Sequence, residues 1–240
     1  MSRGLGLILP LLAMAAPAVA GSKATYEGMP GPPLLIEVGD NGDARVGATG
    51  NEDTYGLLIG NEFYLVSREK GTWKVARIAD QAAAFDRVLP PIFRQIFSVA
   101  ADSKANPATL KIVKTGSRTV AGFTGDVYAV TGLDSEKPTD VTEVVATQDP
   151  RLAPAGRALA GFNDAMMVMM SPLIGKMAAS EIAQNRAMAA LGTPLDIKGG
   201  PHLTAFTVTP VDAARLALPA KPQTVDEIAA GIKLTPTSDK

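Results

Sequence analysis

The segment between residues 33 and 77 is a series of short apolar runs separated by turn residues. PLLIEV is followed by the turn GDNGD and by ARVGA, and TYGLLI is followed by Gly60-Asn61 and by EFYLV. A third turn, REKGT, precedes WKVARI. Turns this short join neighbouring antiparallel strands, because parallel strands need a long crossover connection. The segment therefore predicts an antiparallel meander, which is the strongest constraint on the fold.

Two segments with helical spacing, 80–101 and 152–191, interrupt the strands, and the second is broken at Ser171-Pro172. Strand patterns return in TLKIVKT, RTVAGFTGDVYAVTG, TDVTEVVATQ and HLTAFTVTPV, and VDEIAAGI predicts a short terminal helix. Strands and helices grouped in this way favour an α+β fold over alternating βα units. We therefore predict a strongly curved antiparallel sheet, a half-barrel, with both helical segments covering its concave face.

Four segments carry a resemblance to a known family. They are GSRTVAGFTGDVYAVT, TEVVATQDPRLAPAGRALAGF, ALGTPLDI and ARLALPAKPQTVDEI. They resemble exported bacterial proteins with a conserved domain of no assigned activity, which is similar to the periplasmic lipoprotein-carrier fold. That fold is a half-open β-barrel with helices in its concavity. The resemblance runs over roughly Tyr26 to Leu234 and carries over no catalytic residue.

The first twenty residues predict a secretory signal peptide. They contain one cation, Arg3, then an apolar run, and they end in the small residues Ala18–Ala20. The run is shorter than the ~20 residues that span a bilayer, and Pro10 interrupts it. The chain has no cysteine, so it offers no site for a lipid anchor or a disulfide. We expect a soluble periplasmic protein with one lipoprotein-carrier-like domain over 21–234 and a mobile tail over 235–240.

Composition and motifs argue against nucleic-acid binding and against most enzymes. The formal net charge is −1 and aromatic residues make up 5% of the chain, so neither a basic surface nor a base-stacking platform is indicated. The one histidine, His202, lacks neighbouring partners for a triad or a zinc site. The turn Asp40–Arg45 lacks the closing glutamate of a calcium loop. Two acidic pairs indicate solvated turn charges: Glu52/Asp53 and Asp134/Glu136. We expect no enzymatic activity, no cofactor and no bound metal.

A methionine cluster marks the second helical segment. Four methionines lie within Met166–Met170, and a fifth follows at Met177. At ~100° per residue, most of them share one helix face with Phe162. Three interpretations are open: ordinary core packing, an adaptable surface for acyl chains or an apolar polypeptide, and a soft-metal site such as Cu(I). No His or Cys stands nearby to support the metal.

These observations favour a non-enzymatic periplasmic carrier that holds an apolar ligand, a lipid or an acyl chain, between the sheet and the helices. We expect its floor to comprise Tyr55, Phe63 and Trp73. We expect its lid to comprise Phe162, Met166, Met169, Met170 and Met177, with Met170 more costly to replace than Met166. The alternative is an interaction or regulatory module with a filled core. The partner would then be another envelope protein rather than a lipid or an acylated envelope component.

We predict that the mature chain begins at Gly21, because the small residues before it fit the cleavage site of a signal peptide. N-terminal sequencing of protein recovered from the host envelope checks this. Recovery of chains that still begin at Met1 would contradict it.

Overall fold

The computed structural model describes residues 21–93, 95, 110–133 and 137–232, in which eleven strands form one antiparallel sheet. The strands are β1 (Ser22–Glu27), β2 (Leu34–Val38), β3 (Ala44–Ala48), β4 (Thr54–Ile59), β5 (Glu62–Glu69), β6 (Thr72–Arg77), β7 (Lys111–Val120), β8 (Phe123–Thr131), β9 (Thr142–Thr147), β10 (Thr193–Ile197) and β11 (His202–Val208). The helices are α1 (Ile78–Val88), α2 (Ala153–Ile174), α3 (Lys176–Ala189) and α4 (Val225–Gly231), with a 3-10 turn at Ala213–Leu216. No helix within the described ranges is both long and apolar enough to cross a bilayer.

The first and last strands lie side by side in the middle of the sheet. The strand order is β6-β5-β4-β3-β2-β1-β11-β10-β9-β8-β7, so each half of the sheet is a run of strands that are neighbours in sequence. The Thr204 hydroxyl donates to the Thr25 carbonyl at 3.2 Å across the central pair, which joins residues 179 positions apart. β6 and β7 are the two edges, and the sheet is open.

The predicted half-barrel with both helical segments on its concave face is wrong. The strands form one sheet that does not close, and the helices do not form a common layer over it. α2 packs across β1 to β5 and β10, whereas α1 packs on α2 and on the β5/β6 edge. α3 packs on α2 and has only weak contact with the described strands. The architecture is α+β, with α2 as the helix that covers the sheet.

Two central strands, β1 and β10, were not predicted from the sequence. The predicted hairpins β2–β3, β4–β5 and β5–β6 are confirmed, as are the strand β11 and the terminal helix α4. The first helical prediction, 80–101, is only partly testable: α1 spans Ile78–Val88, and much of the remainder lies outside the described residues. The predicted signal peptide, 1–20, and the predicted tail, 235–240, also lie outside them.

A glycine, and not the predicted proline, separates the two long helices. α2 runs through Pro172, and Gly175 joins it to α3 with φ 49° and ψ −124°, a conformation that suits glycine. A proline inside a helix has no N–H to donate to the carbonyl four residues before it. Here the Ser171 hydroxyl donates to that carbonyl, on Val168, at 2.7 Å. The lost backbone bond is thereby replaced, and the helix continues.

One face of β1 to β5 forms the main core with α2. Small residues on α2, including Ala155 and Ala158, are fully buried and let the helix approach the sheet closely. Gly156 lies so near Thr193 that a Cβ would stand 2.3 Å from the threonine hydroxyl. That hydroxyl donates to the Leu152 carbonyl at 3.1 Å, which ties β10 to the start of α2. The strands contribute buried apolar side chains: Ala24, Tyr26, Ile36, Val38, Val46, Leu58 and Phe63.

The opposite face of β4 to β6 is covered by the segment 209–223, here named the C-terminal strap. A second apolar cluster on this face contains Leu57, Val66 and Val75, and Leu218 of the strap packs against it. The backbone N–H of Gln223 donates to the Val75 carbonyl at 2.8 Å. The strap then leads into α4, which packs on α1.

A buried carboxylate holds the C-terminal strap to the sheet. Glu37 on β2 is only 1% exposed, and it accepts from Arg215 of the strap at 2.7 and 2.9 Å. Lys23 on β1 lies 2.8 Å from its other oxygen. Arg215 also donates to Glu52 at 3.2 Å, and Arg45 donates to Glu52 at 2.6 Å. Glu52 was predicted to be a solvated turn charge; its side chain is 63% exposed and is ion-paired with both arginines.

The pKa of Glu37 lies below its ordinary value because two opposing effects do not cancel. Burial raises the pKa, whereas hydrogen bonds and charge attraction from Arg215 and Lys23 lower it by more in total. A carboxylate with a depressed folded-state pKa stabilises the fold fully above its unfolded pKa of ~4.3. That contribution is lost as the pH falls through the lower folded-state value.

We predict that Arg215→Met lowers the free energy of unfolding by about 3 kcal/mol, since it leaves Glu37 buried with Lys23 as its remaining partner. Arg77→Met is the matched control, because Arg77 makes a similar two-bond contact with Asp80 at the surface. We expect a much smaller loss there. Urea unfolding at pH 7 measures both variants.

Urea unfolding repeated at lower pH tests whether the charge on Glu37 causes this stabilisation. Stability of the natural chain should fall as the pH drops below about 4, and Glu37→Gln should flatten that dependence. Equal destabilisation by Arg215→Met and Arg77→Met, or an unchanged acid dependence in Glu37→Gln, would contradict the role of the cluster.

Candidate functional site

The three predicted floor residues do not share one face of the sheet. Phe63 lies on the α2 face, where its ring centroid is 6.1 Å from that of Phe162. Tyr55 and Trp73 lie in the cluster on the opposite face, with their rings edge to face at 6.1 Å. The Arg45 guanidinium stands 3.7 Å from the centre of the Tyr55 ring. These three side chains therefore do not form the floor of one cavity.

The predicted lid residues lie along α2 and at the start of α3, with unequal burial. Phe162 and Met166 pack against the main core. Met169 and Met177 are half-buried, and Met170 is 37% exposed. Met166 thus contacts the core, whereas Met170, expected to be the costlier of the two to replace, is the more exposed.

An apolar cavity of about 220 Å³ lies between α2, α3, β9 and β10. α3 packs on α2 but only weakly on the strands, and the cavity occupies space between these elements. Both helices and both strands supply its walls. The lining residues are Leu133, Val144, Ala146, Leu159, Ala160, Asn163, Asn185, Met188, Ala189, Pro194, Ile197 and Pro201. No charged side chain is among them, and the arrangement suits an apolar ligand.

None of the eight predicted ligand-binding residues lines this cavity. The cavity walls come from small and aliphatic residues such as Ala146, Ala160 and Ile197, which look like ordinary core residues in the sequence. Leu159 lies on the buried face of α2. The remaining signal is a pair of asparagines: Asn163 interrupts an apolar face of α2, and Asn185 stands one turn after Glu181 on α3.

Polar groups gather where α2 and α3 meet beside the cavity. The Arg186 guanidinium donates to Asp164 at 3.4 Å, while the other Asp164 oxygen is buried without a hydrogen-bond partner among the described residues. Glu181 stands one turn before Asn185 on α3, and burial raises the pKa of its carboxyl. Asn163 and Asn185 make no side-chain hydrogen bond within the described part of the chain.

The other candidates from the sequence do not form a reactive site in the described ranges. His202 begins β11 and stands in register between Glu27 and Asp196. In the β2–β3 turn, both carboxylate oxygens of Asp43 accept hydrogen bonds, from the Asn41 amide at 2.7 Å and the Gly60 N–H at 2.8 Å. No three His, Asp or Glu side chains converge on a metal-sized space within the described chain. The pair at 134 and 136 falls outside it.

Comparison with known proteins gives no assignment, since no family model, curated protein or solved structure matches the chain. The resemblance to the lipoprotein-carrier fold stays a prediction.

We predict that Met166→Ala destabilises the protein by about 2 kcal/mol, because its thioether side chain packs on the core. Met170→Ala, at a position 37% exposed, should cost less than half as much. Chemical denaturation of the two variants beside the natural chain measures the difference. A larger loss for Met170→Ala would contradict the packing described here.

Proposed function

We propose that this protein is a non-enzymatic binding or carrier protein for an apolar ligand, such as an acyl chain, held in the cavity between α2, α3, β9 and β10. The observation that carries the proposal is the uncharged, largely aliphatic lining of that cavity. Removal of apolar surface from water is the main source of affinity in such a site. Export to the periplasm belongs to the same proposal and rests on the signal-peptide pattern of residues 1–20.

The size of the cavity limits the ligand. At about 220 Å³ it lies below the ~300–1,000 Å³ that is usual for drug-sized ligands. A single acyl chain or a comparably slim apolar group fits this volume better than a complete two-chain lipid. A larger ligand would require the walls to move apart.

The structure offers one wall suited to such movement. α3 contacts α2 extensively and the strands only weakly, so less apolar contact is lost when it moves than when α2 moves. Gly175, at the α2–α3 junction, has the backbone freedom that a pivot needs. We propose that displacement of α3 about Gly175 admits and releases the ligand.

A filled-core interaction module is the second candidate, and one observation favours it. Beneath α2, the space over β4 and β5 is occupied by Phe63, Phe162 and Leu58. The two functions differ in whether the cavity under α3 takes up a ligand. Binding measurements on cavity variants separate them.

We predict that Ala160→Leu weakens binding of the neutral fluorescent probe N-phenyl-1-naphthylamine at least tenfold, because the added side chain fills the cavity. Ala179→Leu, at an exposed position of α3, is the matched control and should bind like the natural chain. Fluorescence titration gives the affinities, and native mass spectrometry of protein from its own envelope reports any ligand that copurifies.

Two results would count against a carrier. One is the absence of probe binding by the natural chain. The other is equal binding by Ala160→Leu and Ala179→Leu, which would place the probe elsewhere. Thermal unfolding of each variant confirms that affinities are compared between folded proteins.

A further inference from the structure

The apolar cavity has two polar side chains in its wall, and both are carboxamides. Asn163 projects from α2 and Asn185 from α3, and both line the same space. Neither side chain hydrogen-bonds to another residue in the described part of the chain. Asn163 is exposed and Asn185 is half-buried, so both are accessible to water or to a ligand. Each carboxamide can donate two hydrogen bonds and also accept.

The charges beside these asparagines disfavour an anion. Asp164 adjoins Asn163, and Glu181 lies one helical turn before Asn185. Arg186 is the nearby cation on α3, and its guanidinium is already paired with Asp164. Lys198 follows the lining residue Ile197, but it is exposed in the turn after β10. No cation is among the lining residues in the described part of the chain.

We infer that the ligand carries an uncharged, hydrogen-bonding head group, an alcohol, amide or ester, which contacts Asn163 and Asn185 while its apolar chain fills the cavity. This inference rests on the proposed carrier function and specifies the class of ligand. A free fatty acid is disfavoured, since its carboxylate would lie near Glu181 with no cation among the described residues that line the cavity. A neutral head group can exchange hydrogen bonds with the two carboxamides at little desolvation cost.

Competition between ligands of one chain length tests the head group. Decanol, decanamide and decanoate are each titrated into the complex with N-phenyl-1-naphthylamine at pH 7.5, where decanoate is ionised, and probe displacement gives their affinities. Decanol and decanamide should bind at least tenfold more tightly than decanoate. In the double variant Asn163→Leu, Asn185→Leu, the neutral ligands should lose about fivefold to tenfold in affinity, the amount expected for one or two hydrogen bonds. Probe affinity should stay within about twofold, because the near-isosteric leucines keep the cavity apolar.

The outcomes separate this inference from the carrier function. If the natural chain binds neither the probe nor any decyl compound, the carrier function itself fails. If decanoate binds as tightly as decanol, the carrier function stands and the neutral head group is wrong. Loss of that decanoate binding in Lys198→Gln would identify Lys198 as an anion contact and would overturn the inference in the same way. Unchanged neutral-ligand affinity in the double variant would also overturn it.

Discussion

The buried charge on Glu37 is the constraint on which much of the outer structure depends. An ionised carboxylate at 1% exposure is unfavourable unless cations surround it, and β1 supplies only Lys23. The second cation, Arg215, lies far along the chain, so satisfying Glu37 requires the C-terminal strap to cross the sheet. This crossing places Leu218 on the second apolar cluster, that of Leu57, Val66 and Val75, and brings α4 into contact with α1. One polar residue thus specifies where the last part of the described chain lies.

The two halves of the sheet differ in how closely the helices pack on them. On one face α2 packs closely through Ala155 and Ala158, and the core beneath it is filled. Beyond β11 the helical cover changes, because α3 packs on α2 and leaves an apolar space over β9 and β10. Tight packing therefore makes the β1–β5 half a rigid support, while the less complete packing at α3 provides both the cavity and a wall able to move.

The sequence predicted those parts of the fold that local patterns specify. The hairpin at Gly60-Asn61 followed from turn chemistry, and it is present. The break at Pro172 was misplaced because the Ser171 hydroxyl supplies the missing hydrogen bond, a contact that proline statistics do not include. β1 and β10 were missed, and each has one partner strand that is distant in sequence, β11 for β1 and β9 for β10. The cavity could not be predicted, because an unfilled space depends on how the elements pack. No particular residue type signals it in the sequence.

The central pairing of β1 with β11 also bears on when the sheet can form. Thr25 and Thr204 meet across 179 residues, so the two halves of the sheet cannot be joined until nearly the whole described chain is available. Contacts this distant in sequence slow folding, because a large loop-closure entropy must be overcome before they form. A chain emerging from the ribosome would accordingly remain without its completed sheet until late in synthesis.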